Sequence, residues 1–341
     1  MSIGILGYGV YIPQYRISKA EYVKAWGQFA AAGIEEKAVS GFDEDSVTMA
    51  VGASMNALNH AKVDASKLNA IYFASTSSPY AEKLVSSTIA MALGAPSRVS
   101  VADFTSSTMA GTSALLMSLD FVASGRGGFA LVVASDCPHA DPGDFLEHPL
   151  GAGAAAFVVG EGTPIATIED SDCATIEALG ERFRKKGEKS IETLGIPAYT
   201  RAVIINTVTS SVKALLDKMG RKPSAFNFVV LPQFDGRLPL RIARKTGFEE
   251  TQFIPSMIVS QVGDAGAASP LIGLAKVLDE AKPGHKVLVA SYGAGAGSDA
   301  VSINVNEEIM KRKGGVPSVK DYLADKKYID YIHYLKIKKM I

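Results

Sequence analysis

Residues 103–112, Asp-Phe-Thr-Ser-Ser-Thr-Met-Ala-Gly-Thr, place four alcohols, Thr105, Ser106, Ser107 and Thr108, just before an apolar helical pattern at 114–122. A loop running onto a helix N-terminus offers unpaired N–H groups and the positive end of the helix dipole, so a side chain there is placed for activation or beside a bound anion. An alcohol needs a nearby base before it attacks. Asp264, in Gly263-Asp-Ala-Gly266 ahead of a second helical pattern, is the acid–base group on offer, with Ser106, Ser107 and Thr108 as donors to a developing oxyanion. The same position suits a helix N-cap. Cys137 and Cys173 are the only cysteines and the five histidines lack ligand spacing, so neither a disulfide framework nor a metal site is expected. Cys137 follows an apolar strand and reads as structural.

The elements that must hold this loop alternate along the chain. Apolar runs of strand length occur at 3–12, 70–75, 98–104, 129–135 and 152–159, separated by helical patterns at 43–61, 84–93 and 114–122. The second half repeats this order. Ser66 and Asn69 match Ser224 and Asn227 at an offset of 158, Ala110-Gly111 matches Ala265-Gly266 at 155, and 131–135 matches 287–291 at 156. Three segments in one order at nearly one offset indicate an internal duplication of an α/β unit. Strands apolar throughout are buried on both faces, which predicts layered, mostly parallel sheets covered by helices. The helices after Thr108 and after Asp264 then meet centrally and wall one site. The expected organisation is an N-terminal half at 1–161, an insertion or connector at 162–200, a C-terminal half at 201–307 and a tail at 308–341. The insertion carries Arg182, Arg184, Lys185, Lys186 and Lys189 and is expected outside the duplicated core, facing either an anionic ligand or water.

Lys+Arg and Asp+Glu stand at 35 each, so no overall field draws the chain to nucleic acid or an anionic membrane. The N-terminus lacks a signal-peptide pattern and no run reaches the ~20 apolar residues of a membrane span. A cytoplasmic protein is expected, its lysine-bearing tail solvated or at an interface.

Duplicated α/β halves, a helix-opening loop before Ala110-Gly-Thr112 and the glycine-rich loop 292–300 together resemble the thiolase superfamily. Within it the likeness is to archaeal-type 3-hydroxy-3-methylglutaryl-CoA synthases, and it also covers 7–13, 142–147, 151–157, Asp235-Gly236 and the tail. The resemblance implies the layered α-β-α-β-α thiolase fold and acyl-CoA chemistry through a Cys nucleophile, a Glu acid/base and a His. Matched residue by residue, the cysteine falls on Thr108, the glutamate on Thr76 and the histidine on Pro232. Ser107, Tyr199, Gln233, Gly295 and Ser298 match positions along the ligand path.

These replacements are severe chemically. A helix N-terminus can bring a thiol with a pKa near 8.5 to its thiolate, whereas an alcohol does not ionise there unaided. Losing one member of such a unit can cost on the order of a millionfold in rate. The resemblance therefore implies a non-catalytic subunit, as a homodimer or a heterodimer with a catalytic thiolase-fold paralogue, with an OB-fold/zinc-ribbon companion as a further partner. CoA or acyl-CoA is the expected ligand, with no covalently bound cofactor. The alternative is an acyl-CoA C–C bond-forming or -cleaving enzyme with non-cysteine chemistry, using Asp264 and the 106–108 hydroxyls.

Overall fold

Uncharged runs such as Ala130 to Ala134 have no exposed surface at all. Each large side chain so buried contributes about 1.5–3 kcal/mol, which fixes these runs at the centre of the molecule. The computed structural model describes residues 2–341. The first half comprises β1 (Ser2–Tyr11), β2 (Tyr15–Ser18), α1 (Lys19–Trp26), β3 (Glu36–Val39), α2 (Ser46–Ala61), β4 (Ala70–Ala74), α3 (Val85–Leu93), β5 (Ser100–Phe104), α4 (Ala110–Ala123), β6 (Phe129–Asp136) and β7 (Gly153–Gly162). The second comprises β8 (Ala166–Thr175), α5 (Pro197–Met219), β9 (Phe228–Val230), α6 (Leu238–Thr246), α7 (Glu250–Phe253), α8 (Val259–Val262), α9 (Ser269–Glu280), β10 (Lys286–Ala290) and β11 (Gly297–Val305). The chain ends with α10 (Ile309–Arg312), α11 (Val319–Ala324), β12 (Lys327–Tyr328) and α12 (Tyr331–Ile337).

Nine strands form one sheet in the order β5-β4-β6-β7-β1-β8-β11-β10-β9. In the first half β5, β4 and β6 pair in parallel and β7 alone is reversed between β6 and β1. In the second half β9 and β10 are parallel and β11 alone is reversed between β10 and β8. Each half thus runs mostly one way, and the halves join through an antiparallel β1–β8 contact. The duplication extends to single hydrogen bonds. Asn69 Oδ1 accepts from Phe129 N at 3.1 Å, and Asn227 Oδ1 accepts from Lys286 N at 2.9 Å; each asparagine ties the start of one strand to the next.

The structure differs from the sequence-based expectation in two places. Ala166–Thr175, expected within the outlying insertion, is β8 and pairs along its length with β11. Its sequence is largely polar, with Glu169 to Asp172 in an unbroken run, and most of the strand is only half-buried, so the search for uniformly apolar runs passes over it. The tail, expected to be solvated or at an interface, instead packs on the body. Tyr331, Tyr334, Leu335 and Ile337 are buried with Tyr22 of α1 and Val39 of β3, while Lys336 and Lys339 stay exposed. No helix of the described residues is long and apolar enough to cross a membrane.

Candidate functional site

The C-terminal end of β5 delivers Thr105–Thr108 to the start of α4. Ser106 takes φ 71°, a left-handed backbone that costs a non-glycine residue roughly 1–2 kcal/mol. α4 and the turn before α9 then meet backbone to backbone: a Cβ on Gly111 would lie 2.3 Å from the Ala267 carbonyl oxygen. Only glycine permits that approach, and it brings the helix starts of both halves to one place, as the duplication predicts.

Asp136, at the end of β6, locks this junction. Its fully buried carboxylate accepts from the hydroxyls of Ser75, Thr76 and Ser77, from Thr76 N and Ser77 N at 2.8 Å, and from Ala267 N at 2.7 Å. Sequence reasoning missed this residue, although an acid closing an otherwise uncharged strand was a signal. On the other side of α4, Asp299 accepts from Thr112 and Ser113 hydroxyls at 2.7 and 3.0 Å. Burial raises its pKa against those two hydrogen bonds. Thr112 also shares a 2.7 Å hydrogen bond with Ser291, next to the glycine-rich loop.

Two contiguous cavities open at these helix starts. The outer, of about 710 Å³, is lined by Thr76, Ser106, Ser107, Thr108 and Gly295 and by Arg182, Arg184, Lys185, Lys186 and Glu188 of the 176–196 loop. The basic segment thus faces a cavity with four cations and one carboxylate. Arg184 fastens it by donating to the Thr76 carbonyl at 3.0 Å. The inner cavity, of about 130 Å³, shares Thr108 and Arg182 with the outer and adds Glu181, Asp264 and Tyr292 among apolar walls from Leu150, Ile204 and Phe234.

Within it, the Thr108 hydroxyl donates to the Tyr292 carbonyl at 2.6 Å. Asp264 Oδ2 forms an ion pair with Arg182 Nη1 at 2.7 Å, and Oδ1 accepts from Gly266 N at 2.9 Å. The carboxylate is therefore both a turn cap and an ion-pair partner. Glu181 Oε1 accepts from the Tyr292 hydroxyl at 2.7 Å and from Gly295 N at 2.8 Å. Burial first, then the Glu181 contact, pushes the Tyr292 phenol well up, so it remains a donor. No motif or spacing marked Glu181, which lies in irregular chain.

Of the residues singled out from sequence, Thr76, Ser107, Thr108, Asp264 and Gly295 come together around these cavities. Others are engaged elsewhere. Gln233 braces a loop, accepting from Ile258 N and Val259 N and donating to the Ser256 carbonyl. Ser298 is buried between Ser211 and the Ser291 carbonyl, and the Tyr199 hydroxyl accepts from Leu179 N. Pro232 is buried and has no side-chain donor or acceptor. Cys137 and His139 line a separate recess with Lys338, where burial pushes the thiol up.

Two α/β halves of matching topology, each placing a helix start at one central cavity, define a thiolase-superfamily protein. Residues 216–305 match the C-terminal family of 3-oxoacyl-[acyl-carrier-protein (ACP)] synthase III. The fold superimposes on a solved MvaS in complex with 3-hydroxy-3-methylglutaryl coenzyme A with a TM-score of 0.89 at 19 % identity, covering 99 % of this chain and 92 % of that one. For 3-oxoacyl-[acyl-carrier-protein] synthase III from Aquifex aeolicus the TM-score is 0.78 at 21 % identity, over 89 % of this chain and all of that one. Hydroxymethylglutaryl-CoA synthase of Pyrococcus horikoshii is 38 % identical across 99 % of this chain and 96 % of its own length. That of Aeropyrum pernix is 38 % identical across 99 % and 94 %. The chain belongs to the hydroxymethylglutaryl-CoA synthase family.

Proposed function

We propose that this chain binds an acyl-CoA beneath its basic loop without forming a cysteine-linked acyl-enzyme, and serves as a non-catalytic subunit beside an active thiolase-fold partner. The observation that carries this reading is the Thr108 hydroxyl. It is spent on the Tyr292 carbonyl, and the sequence resemblance assigns it the position of the family's cysteine. A helix dipole contributes about 0.3–1 kcal/mol, far too little to ionise an alcohol. Of the residues that the resemblance matches to the family's glutamate and histidine, Thr76 donates to Asp136 and Pro232 can carry no proton. Arg184, Lys185 and Lys186 support an anionic ligand such as the phosphates of CoA. Edge strand β5 pairs only with β4 and leads straight into the site loop. A second chain, identical or a catalytic paralogue, joined along that edge would lie beside the cavity. An OB-fold/zinc-ribbon protein is a further companion under this reading.

The second reading, a non-cysteine enzyme, is favoured by one feature: a buried carboxylate, Glu181, faces the inner cavity, whereas Asp264 is engaged by Arg182. Calorimetric titration with acetyl-CoA should give binding, and intact-mass measurement afterwards should give the unmodified chain. Capture from native extract should bring down a thiolase-fold chain. A covalent acyl adduct, or turnover by the purified chain alone, would sink the subunit reading.

A further inference from the structure

The C-terminal tail reaches the inner cavity through one buried acid. Glu147 has no exposed surface and sits in the run 146–150, whose Leu146, Pro149 and Leu150 line that cavity. Its carboxylate turns instead towards α1 and α12. Oε2 accepts from the Tyr331 phenol at 3.0 Å and from Gly143 N at 2.7 Å, and Oε1 accepts from the Tyr22 phenol at 3.4 Å. The Glu147 carbonyl accepts from Lys37 Nζ at 2.6 Å, so side chain and backbone are both held from outside the loop. Two residues on, the same backbone meets the opposite wall. Asp264 N donates to the Pro149 carbonyl at 2.7 Å, and Gly151 N donates to the Asp264 carbonyl at 2.9 Å. A Cβ on Gly151 would stand 1.8 Å from the Val262 carbonyl oxygen, which leaves no slack between the two segments. Asp264 in turn holds Arg182. Without the Tyr331 hydroxyl, a buried carboxylate keeps Gly143 N and one long contact, a deficit that the loop relieves by moving.

The geometry points to Tyr331 and Glu147 as positioning residues through which the C-terminal helix α12 sets the wall of the inner cavity. They act through the 149–151 backbone on Asp264. The effect on ligand binding rests on the acyl-CoA reading, whereas the effect on the loop does not. Hydrogen exchange read by mass spectrometry compares the full chain with Tyr331→Phe, which keeps the ring and drops the hydroxyl. Amides in 146–151 and 262–266 should exchange at least ~5-fold faster in the variant, while those of β9 and β10 stay unchanged. Calorimetry should show butyryl-CoA bound at least ~5-fold more weakly by the variant and CoA bound as before, because the acyl group alone enters the inner cavity. Linkage is reciprocal, so saturating butyryl-CoA should slow exchange in α12 of the unaltered chain where CoA does not. A merely structural phenol would loosen α12 and leave 149–151 and Asp264 untouched, and that pattern overturns the assignment. If Tyr331→Phe loosens the whole sheet instead, the unaltered chain decides: α12 exchange indifferent to added butyryl-CoA overturns it. If no CoA derivative binds and the variant still loosens 146–151 and 262–266 alone, the acyl-CoA reading falls and the positioning role stands.

Discussion

Asp264 is 2 % exposed, and its carboxylate is paired with the Arg182 guanidinium. Truncating one partner of a buried pair leaves the other unpaired, so Arg182→Met should destabilise the fold by about 3 kcal/mol. Asp264→Asn in the same background should restore most of that loss, because the amide still accepts from Gly266 N and carries no charge to bury. Urea denaturation of the single and double variants measures the coupling, and a neutral Arg182→Met would show that the pair does not hold the loop. The same two residues mark how far a sequence reveals a site. Thr108, Ser107 and Gly295 were legible because helix starts and glycine-rich loops announce themselves. Gln233 and Ser298 lie in equally suggestive stretches, but their side chains turn towards backbone groups that no spacing records. Arg182 was legible only as one of the insertion's basic residues, and Glu181, in a loop without periodicity, was not.

Elements carry the site through close approach more than through side-chain reach. α4 touches the turn before α9 at Gly111, with Ala134 of β6 also 3.2 Å from where a Cβ would stand. The nearer atom is a backbone carbonyl that cannot swing aside, so Gly111→Ala must push the two helix starts apart. Overpacking of this kind costs about 2 kcal/mol, and it should shift the chemical midpoint of unfolding while weakening ligand binding, since Thr108 and Asp264 ride on the separated elements. Unchanged stability would mean that the helices do not meet as tightly as the backbone places them. Element order was readable because both halves reuse one plan, down to Asn69 and Asn227. β8 escaped because its polar face breaks the uniform apolar signal, and the tail's burial escaped because its lysines mask the apolar positions between them.

At the scale of the whole molecule, buried bases make stability depend on pH in a direction that the structure fixes. His60 and His139 have pKa values lowered by burial to about 4, with neighbouring cations adding to the effect. His60 Nδ1 accepts from Tyr8 N, as only an unprotonated nitrogen can. Lys37 is 2 % exposed, donates to the Glu147 carbonyl at 2.6 Å, and lies 4.8 and 4.9 Å over the rings of Tyr22 and Tyr334. Burial holds its pKa at about 7. Each of these groups binds fewer protons folded than unfolded between its lowered pKa and its ordinary one, so stability rises with pH across that interval. The histidines supply the rise from about pH 4 to 6.5 and Lys37 supplies it above about 7, each with a limiting slope of roughly 1.4 kcal/mol per pH unit. Lys338, its pKa also lowered by burial, adds to the upper rise. Urea unfolding should therefore give free energies that increase from pH 7 to 9; at the acid end the buried carboxyls of Asp279 and Asp299, whose pKa values burial raises, oppose the histidines. Lys37→Met should raise stability at pH 7 and remove about one proton's worth of slope above it. A wild-type profile that is flat from pH 7 to 9 would mean that Lys37 is not held uncharged in the core.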